Sequence, residues 1–345
     1  MTLTGFVLLY IAATIAIGVI AATRVKNTSD FALAGRSLPL PMVITATFAT
    51  WFGSETILGL PGRFIESGIA GVIEEPFGSG MALILVGTFF AHKLYKQNIL
   101  TLGDYYRDRY GRSVELLCSV AIVISYLGWV GAQVTALGLV INLITEGAVS
   151  MTTGMVIGAA VVLAYTMVGG MWSVAMTDFV QMIVIVVGLV AILWFATDLA
   201  GGMDKVVDYA RGRDLFHAFP EPTTTGWLFW ISAAMTMMIG SIPQQDVFQR
   251  VMSAKNLPTA VAGPILGGSF YILFAFVPMF IVVAAILVMP DAAEKMLSED
   301  PQQLLPTLVR DYMPMWLRVV FFGAVLSAVM STASATMLAP STIFV

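Results

Sequence analysis

The chain has 345 residues, of which 58% are hydrophobic and only 11% charged, with a formal net charge of −4. A water-soluble domain carries roughly 25% charged residues, so this composition cannot supply a water-facing globular surface. The slight acidic excess is scattered and forms no basic or acidic block, which excludes nucleic acid as a partner.

The charges that exist are unevenly placed. Runs 5–23, 116–145, 147–177 and 256–290 have none. A helix needs about 20 mostly apolar residues to cross a bilayer, so the pattern is that of an all-α membrane protein. The first run lacks a basic flank and exceeds the roughly 7–15 apolar residues of a secretory signal, and is read as a retained helix. Nine spans are predicted, at 3–23, 38–66, 71–95, 113–145, 150–169, 175–199, 225–251, 257–289 and 315–344. Two longer connections, 198–226 and 291–314, each contain an amphipathic piece, around 205–211 and around Leu304, Leu305 and Leu308. The single cysteine, Cys118, permits no internal disulfide and reads as a small core or lipid-facing residue.

Lysine and arginine in short loops set orientation. Arg24, Lys26 and Arg36 follow the first span; Lys93, Lys96, Arg107, Arg109 and Arg112 follow the third; Arg250 and Lys255 follow the seventh. With one crossing per span these loops share a side, which is the cytoplasmic one. The N-terminus and both acidic connections then lie outside, and a multi-pass protein of the cell (inner) membrane is expected.

The second and seventh spans are interrupted by polar groups. One reads Ala49-Thr50-Trp51-Phe52-Gly53-Ser54-Glu55, the other Ile239-Gly240-Ser241-Ile242-Pro243-Gln244. Backbone exposed to lipid costs several kcal/mol per unpaired group, so such breaks belong against protein or a watery cavity. They stand five spans apart, as expected of two inverted repeats with a midplane binding site. The alternative is close helix packing through small residues.

Glu55 is the sharpest single residue, because an intramembrane carboxylate is costly and functional by default. It is either a partner for a cation or proton, or a cap on the outer half-helix. In the last span, Ser331 and Thr332 offer adjacent hydroxyls, with the Ala328 carbonyl one turn earlier. Carbonyls of Ala49 and Phe52, freed at the break, complete a cage of hard oxygens for sodium. The alternative is back-bonding of Ser and Thr to the preceding turn. Trp51 and Trp129 form either an aromatic wall for a cation or ordinary packing. Gly53, Ser54, Gly240 and Gln244, at the two breaks, are candidate solute contacts. Asp178 and Gln181 open the sixth span, either on an ion path or, for Asp178, as an N-cap. Glu74 and Glu75 read as a solvated outer rim or as a vestibule attractor for cations. His92 and His217 lie in loops, and no nucleotide-binding loop or zinc motif is present. An ATP-driven pump and a membrane hydrolase therefore lack their parts, and no cofactor is expected beyond sodium as the coupling ion.

Several stretches resemble the sodium:solute symporter family. They are Asp30-Phe31-Ala32-Leu33-Ala34-Gly35-Arg36, Ala49-Thr50-Trp51 through Gly59-Leu60-Pro61-Gly62, Tyr165-Thr166-Met167-Val168-Gly169-Gly170 with Thr177-Asp178, Phe248-Gln249-Arg250-Val251, and Ala328-Val329-Met330-Ser331-Thr332. The resemblance implies a LeuT-type inverted-repeat helix bundle in a single domain, 1–345. Residues 1–37 would be an extra N-terminal helix and loop, 38–199 the first five-helix repeat, and 225–345 the first three helices of the second. It implies the sodium site named above and places Asp178 on the ion path. Within the family the sequence is similar to the high-affinity choline transporter branch, which has a tryptophan at Gln244 and a small residue at Glu55. The solute expected is a small organic cation or zwitterion. The resemblance also implies two further core helices beyond Val345, so the chain is expected to be incomplete and not to transport by itself. A membrane sensor built on the same fold, with a signalling domain beyond the last span, is the alternative function.

Overall fold

The computed structural model describes residues 3–343, and among these every regular element is helical. Phe344, the last residue of the expected ninth span, lies outside them. Six helices are long and apolar enough to cross a membrane: Leu3–Ala22, Ile69–Gln97, Arg112–Ile144, Met151–Leu199, Leu257–Val288 and Met315–Thr342. A seventh span is the bent pair Thr224–Gly240 and Gln245–Ser253, which meet at 46°.

The second span is the other broken one. Its first half, Leu40–Trp51, stops at Phe52, whose φ −84° and ψ 71° leave the helical region. The chain resumes as a π-helical turn, Glu55–Gly59, and continues as Leu60–Ser67. Such π turns inside helices mark functional sites frequently. The third span is also irregular, because Pro76 cannot donate a backbone hydrogen bond and Glu75 takes φ −140°, ψ 123°.

Met151–Leu199 has 49 residues, which at 1.5 Å per residue is about 74 Å, more than twice a bilayer core of about 30 Å. It is two helices joined at Gly170, which sits at φ +48°, ψ −136°. A Cβ at Gly170 would lie 2.4 Å from the Phe31 carbonyl oxygen. The sixth span thus begins at Met171, four residues before the expected 175. Asp178 lies two turns inside it and is no N-cap, a correction to the sequence reading.

The basic loops converge at one end. Leu38 bridges to Ala254, Arg36 donates to Asn98 and to the Tyr95 carbonyl at 2.6 Å, and Gln245 accepts from the Leu102 amide at 3.0 Å. Arg24 stacks over Trp172, just past the Gly170 bend, at 4.8 Å. Helix Leu102–Tyr110 starts here on a reciprocal Thr101–Asp104 capping box. The opposite end holds both amphipathic connections: Ile69 and Ala70 bond to the Leu215 and His217 carbonyls, and Leu304, Leu305 and Leu308 are buried in helix Leu304–Tyr312.

The core is held by the last span, which packs on both halves of Met151–Leu199, and by Leu257–Phe274 against Leu40–Trp51. Small residues permit the closest approaches, as at Gly80 and Gly268, where a Cβ on either would lie within 3 Å of the other's carbonyl oxygen.

Candidate ion and solute site at the broken spans

The break in the second span faces the middle of the last span. At the break the Gly53 amide turns to the Trp51 carbonyl at 3.0 Å instead of continuing the helix ladder. The Ala49 carbonyl is left to accept from the Thr332 hydroxyl at 3.3 Å. Gly53 packs directly on that hydroxyl; a Cβ there would sit 2.8 Å from Thr332 Oγ1. Ser331 donates the other way, to Asp178 Oδ1 at 2.5 Å. Ala49, Phe52, Ala328, Ser331, Thr332 and Asp178 all have no solvent exposure. Nearby Ser334 and Thr336 bond back to their own helix, at 2.9 Å to the Ser331 and Thr332 carbonyls. Ser331 and Thr332 instead reach across to other spans, so simple back-bonding does not describe them.

Gln181, almost one turn beyond Asp178, is buried in the same helix. Asp178 Oδ2 has no hydrogen-bond partner among the described residues. Arg250 is buried likewise, and its Nη1 donates to the Asp246 carbonyl at 3.3 Å.

Around Glu55, one face of the fourth span, Arg112–Ile144, carries Tyr126, Trp129 and Gln133 at helical spacing. Gln133 Nε2 donates to both Glu55 oxygens, at 3.0 and 2.9 Å, and Ser54 approaches the same carboxylate at 3.4 Å. Glu55 is therefore gripped by a side chain of another span and does not cap its own half-helix. Trp51 and Trp129 meet edge to face at 6.1 Å, and Tyr126 stacks on Trp129 at 6.0 Å. Above Glu55 opens a cavity of about 850 Å³ bounded by Ser54, Glu55, Arg63, Glu66 and Asp300.

A family model described as the sodium:solute symporter family matches residues 31–345. The chain belongs to the sodium:solute symporter family. Among relatives in this family, the human high affinity choline transporter 1 is 29% identical over 349 residues, covering 95% of this chain and 58% of the relative. The Caenorhabditis elegans high-affinity choline transporter 1 is 28% identical, covering 92% and 56%. Sodium/glucose cotransporter 4 of Danio rerio is 26% identical, covering 98% and 56%. The chain thus spans a little over half the length of these relatives. A solved structure of a substrate-bound, outward-open Na+-coupled sialic acid symporter superposes on all of this chain and 72% of its own, with a TM-score of 0.85 at 18% identity. The fold is accordingly the LeuT-type helix bundle of this transporter family.

Within that fold the expected residues separate. Ala49 is joined to Thr332, and Asp178 to Ser331, beside the first break, while Ser54 and Glu55 line the cavity and Trp51 packs on Trp129. Gly240 does not join them: it is exposed with open space where a Cβ would be. Gln244 is half-buried at the bend, with its Oε1 unpartnered among the described residues.

Sequence reasoning missed the groups that hold these in place. Asp246 is fully buried; it accepts from Trp51 Nε1 at 3.1 Å and from the Tyr126 hydroxyl, and its amide donates to Tyr126 Oη at 3.0 Å. Glu75 is no solvated rim. It accepts from Tyr271 at 2.5 Å and Thr56 at 2.8 Å, between spans two, three and eight. Gln133 in its long apolar run, and Asp246 one residue past the Gln-Gln pair, were the available signals: polar side chains within spans.

Proposed function

We propose that this chain forms the ion and solute sites of a sodium-coupled symporter that moves a small organic solute by alternating access. Sodium would sit between the carbonyls of Ala49, Phe52 and Ala328 and the hydroxyls of Ser331 and Thr332. Asp178 and Gln181 would line its exit. The solute would lie against Trp51, Gly53, Ser54, Glu55 and Trp129, with Gly240 and Gln244 closing from the seventh span as the transporter changes state.

The observation that carries this reading is the crossing of Thr332 onto the Ala49 carbonyl, freed at the helix break. A helix interrupted at that depth is tolerated because it offers oxygens to an ion. Membership of a sodium:solute symporter family and similarity to choline and glucose transporters support sodium as the driving ion. The second half of the chain, 225–345, corresponds on this reading to the opening helices of an inverted second repeat. The convergence of Arg24, Arg36, Arg107 and Lys255 at one end supports a cytoplasmic assignment for that end, with the N-terminus outside, in the cell (inner) membrane.

The test is uptake by the complete gene product in proteoliposomes. Solute accumulation is expected to follow an inward sodium gradient, and accumulation indifferent to that gradient would sink the proposal.

A further inference from the structure

Glu55 is a carboxylate that shares its cavity with Arg63. Among the described residues it forms no ion pair. Its hydrogen-bond donors are neutral, the Gln133 amide and the Ser54 hydroxyl. A carboxylate can accept about four hydrogen bonds, so these leave acceptor capacity, and the side chain lines the cavity. The charged groups of that cavity are Glu55, Glu66, Asp300 and Arg63, an acidic balance that attracts a cation.

The aromatic wall lies apart from this floor. Trp51 has its indole N–H committed to Asp246, and Asp246 is sealed from solvent between Trp51 and Tyr126, with Arg250 one turn along its helix. Asp246 is therefore a positioning residue for the wall, and of these two carboxylates it is Glu55 that lines the cavity, beside the Gln133 amide.

Resting on the symport reading, we infer that Glu55 docks a protonated amine that carries N–H bonds, so the solute is a primary or secondary ammonium compound in preference to a quaternary one. A quaternary ammonium is recognised well by aromatic faces, but it has no N–H for a carboxylate to accept. A protonated amine forms a short charge-assisted hydrogen bond to the free lone pairs of Glu55. Gln133 holds the carboxylate still, so little ordering cost attends binding.

The experiment is equilibrium binding to the complete gene product in lipid nanodiscs with sodium chloride, read by tryptophan fluorescence. The probes are ethanolamine, its mono- and dimethyl derivatives, and choline, which share one skeleton and differ in N-methylation. Affinity is expected to fall with methylation, with ethanolamine about 10- to 100-fold tighter than choline. Glu55→Gln keeps an acceptor for Gln133 and is expected to flatten the series to the level of choline. Equal or rising affinity toward choline, an unchanged ratio in E55Q, or no binding by any of the amines would overturn the assignment. Sodium-induced thermal stabilisation, measured on the same samples, reads the symport proposal separately; its absence would count against sodium coupling while the methylation series still decides the amine site.

Discussion

Thr332 and Ser331 make the ion-site proposal testable one atom at a time. Each hydroxyl bonds across to another span, so removing either deletes an oxygen from the cage without opening the helix. Ser331→Ala and Thr332→Ala are each expected to raise the sodium concentration for half-maximal stabilisation by roughly tenfold, the effect of about 1.4 kcal/mol. A sodium titration followed by thermal unfolding measures it, and an unshifted midpoint would argue against these ligands. Gly53→Ala probes the same site from the other wall, because its Cβ would lie 2.8 Å from Thr332 Oγ1; loss of sodium stabilisation is expected there also. Asp246→Asn tests the aromatic wall. Both carboxylate oxygens accept from donors, so the new amide must turn its own N–H groups toward Trp51 Nε1 or the Tyr126 hydroxyl. A loss of about 1–3 kcal/mol in stability is expected from the unmet donors, seen as a lower unfolding midpoint. At this scale Glu55, Ser331 and Thr332 were readable in the sequence because polar atoms in apolar runs are conspicuous. Gln133 and Asp246 are conspicuous in the same way, but their partners are 78 and 195 residues away, and no local pattern reports such a pairing.

The broken elements were legible for a different reason. Gly-Ser pairs followed by polar residues announce a helix that cannot continue through lipid, and both breaks occur where such pairs stand. What the residues did not announce is how each break is built. The second span restarts as a π turn, and the seventh bends by 46°. The spans predicted at 150–169 and 175–199 leave a gap at 170–174, yet the chain turns on Gly170 alone. Its φ of +48° with ψ −136° is open to glycine and costly for any other residue. Gly170→Ala is expected to destabilise the protein by at least about 1–3 kcal/mol, since the backbone strain is joined by a contact with the Phe31 carbonyl. Guanidine or thermal unfolding in detergent checks this; a variant as stable as the parent would mean that the bend relaxes. Glu75 shows the converse limit: beside Pro76 at a helix end it looks solvated, and only the packing of Tyr271 and Thr56 from other spans makes it an interior group.

Over the whole molecule, orientation is the property most open to direct test. With Cys118 replaced by Ser, single cysteines at Asp108 and Glu294, both exposed, are expected to react with an impermeant thiol reagent from opposite faces of the membrane, Glu294→Cys from outside. Labelling of both from one face would overturn the assignment. Membrane residence, the helical class and the approximate spans follow from composition and apolar run length, because a bilayer imposes one length and one polarity on any chain that crosses it. The family motifs add the expected bundle and its sodium site, as local signatures that survive where most of the sequence has changed. Which oxygens face one another is not a local property. Thr332 meets Ala49 across 283 residues, Ser331 meets Asp178 across 153, and Gln133 holds Glu55 as a cavity-lining carboxylate and not as a cap. Those pairings depend on how whole spans stack, and that stacking is decided by side-chain packing between helices, which run length and motif do not encode.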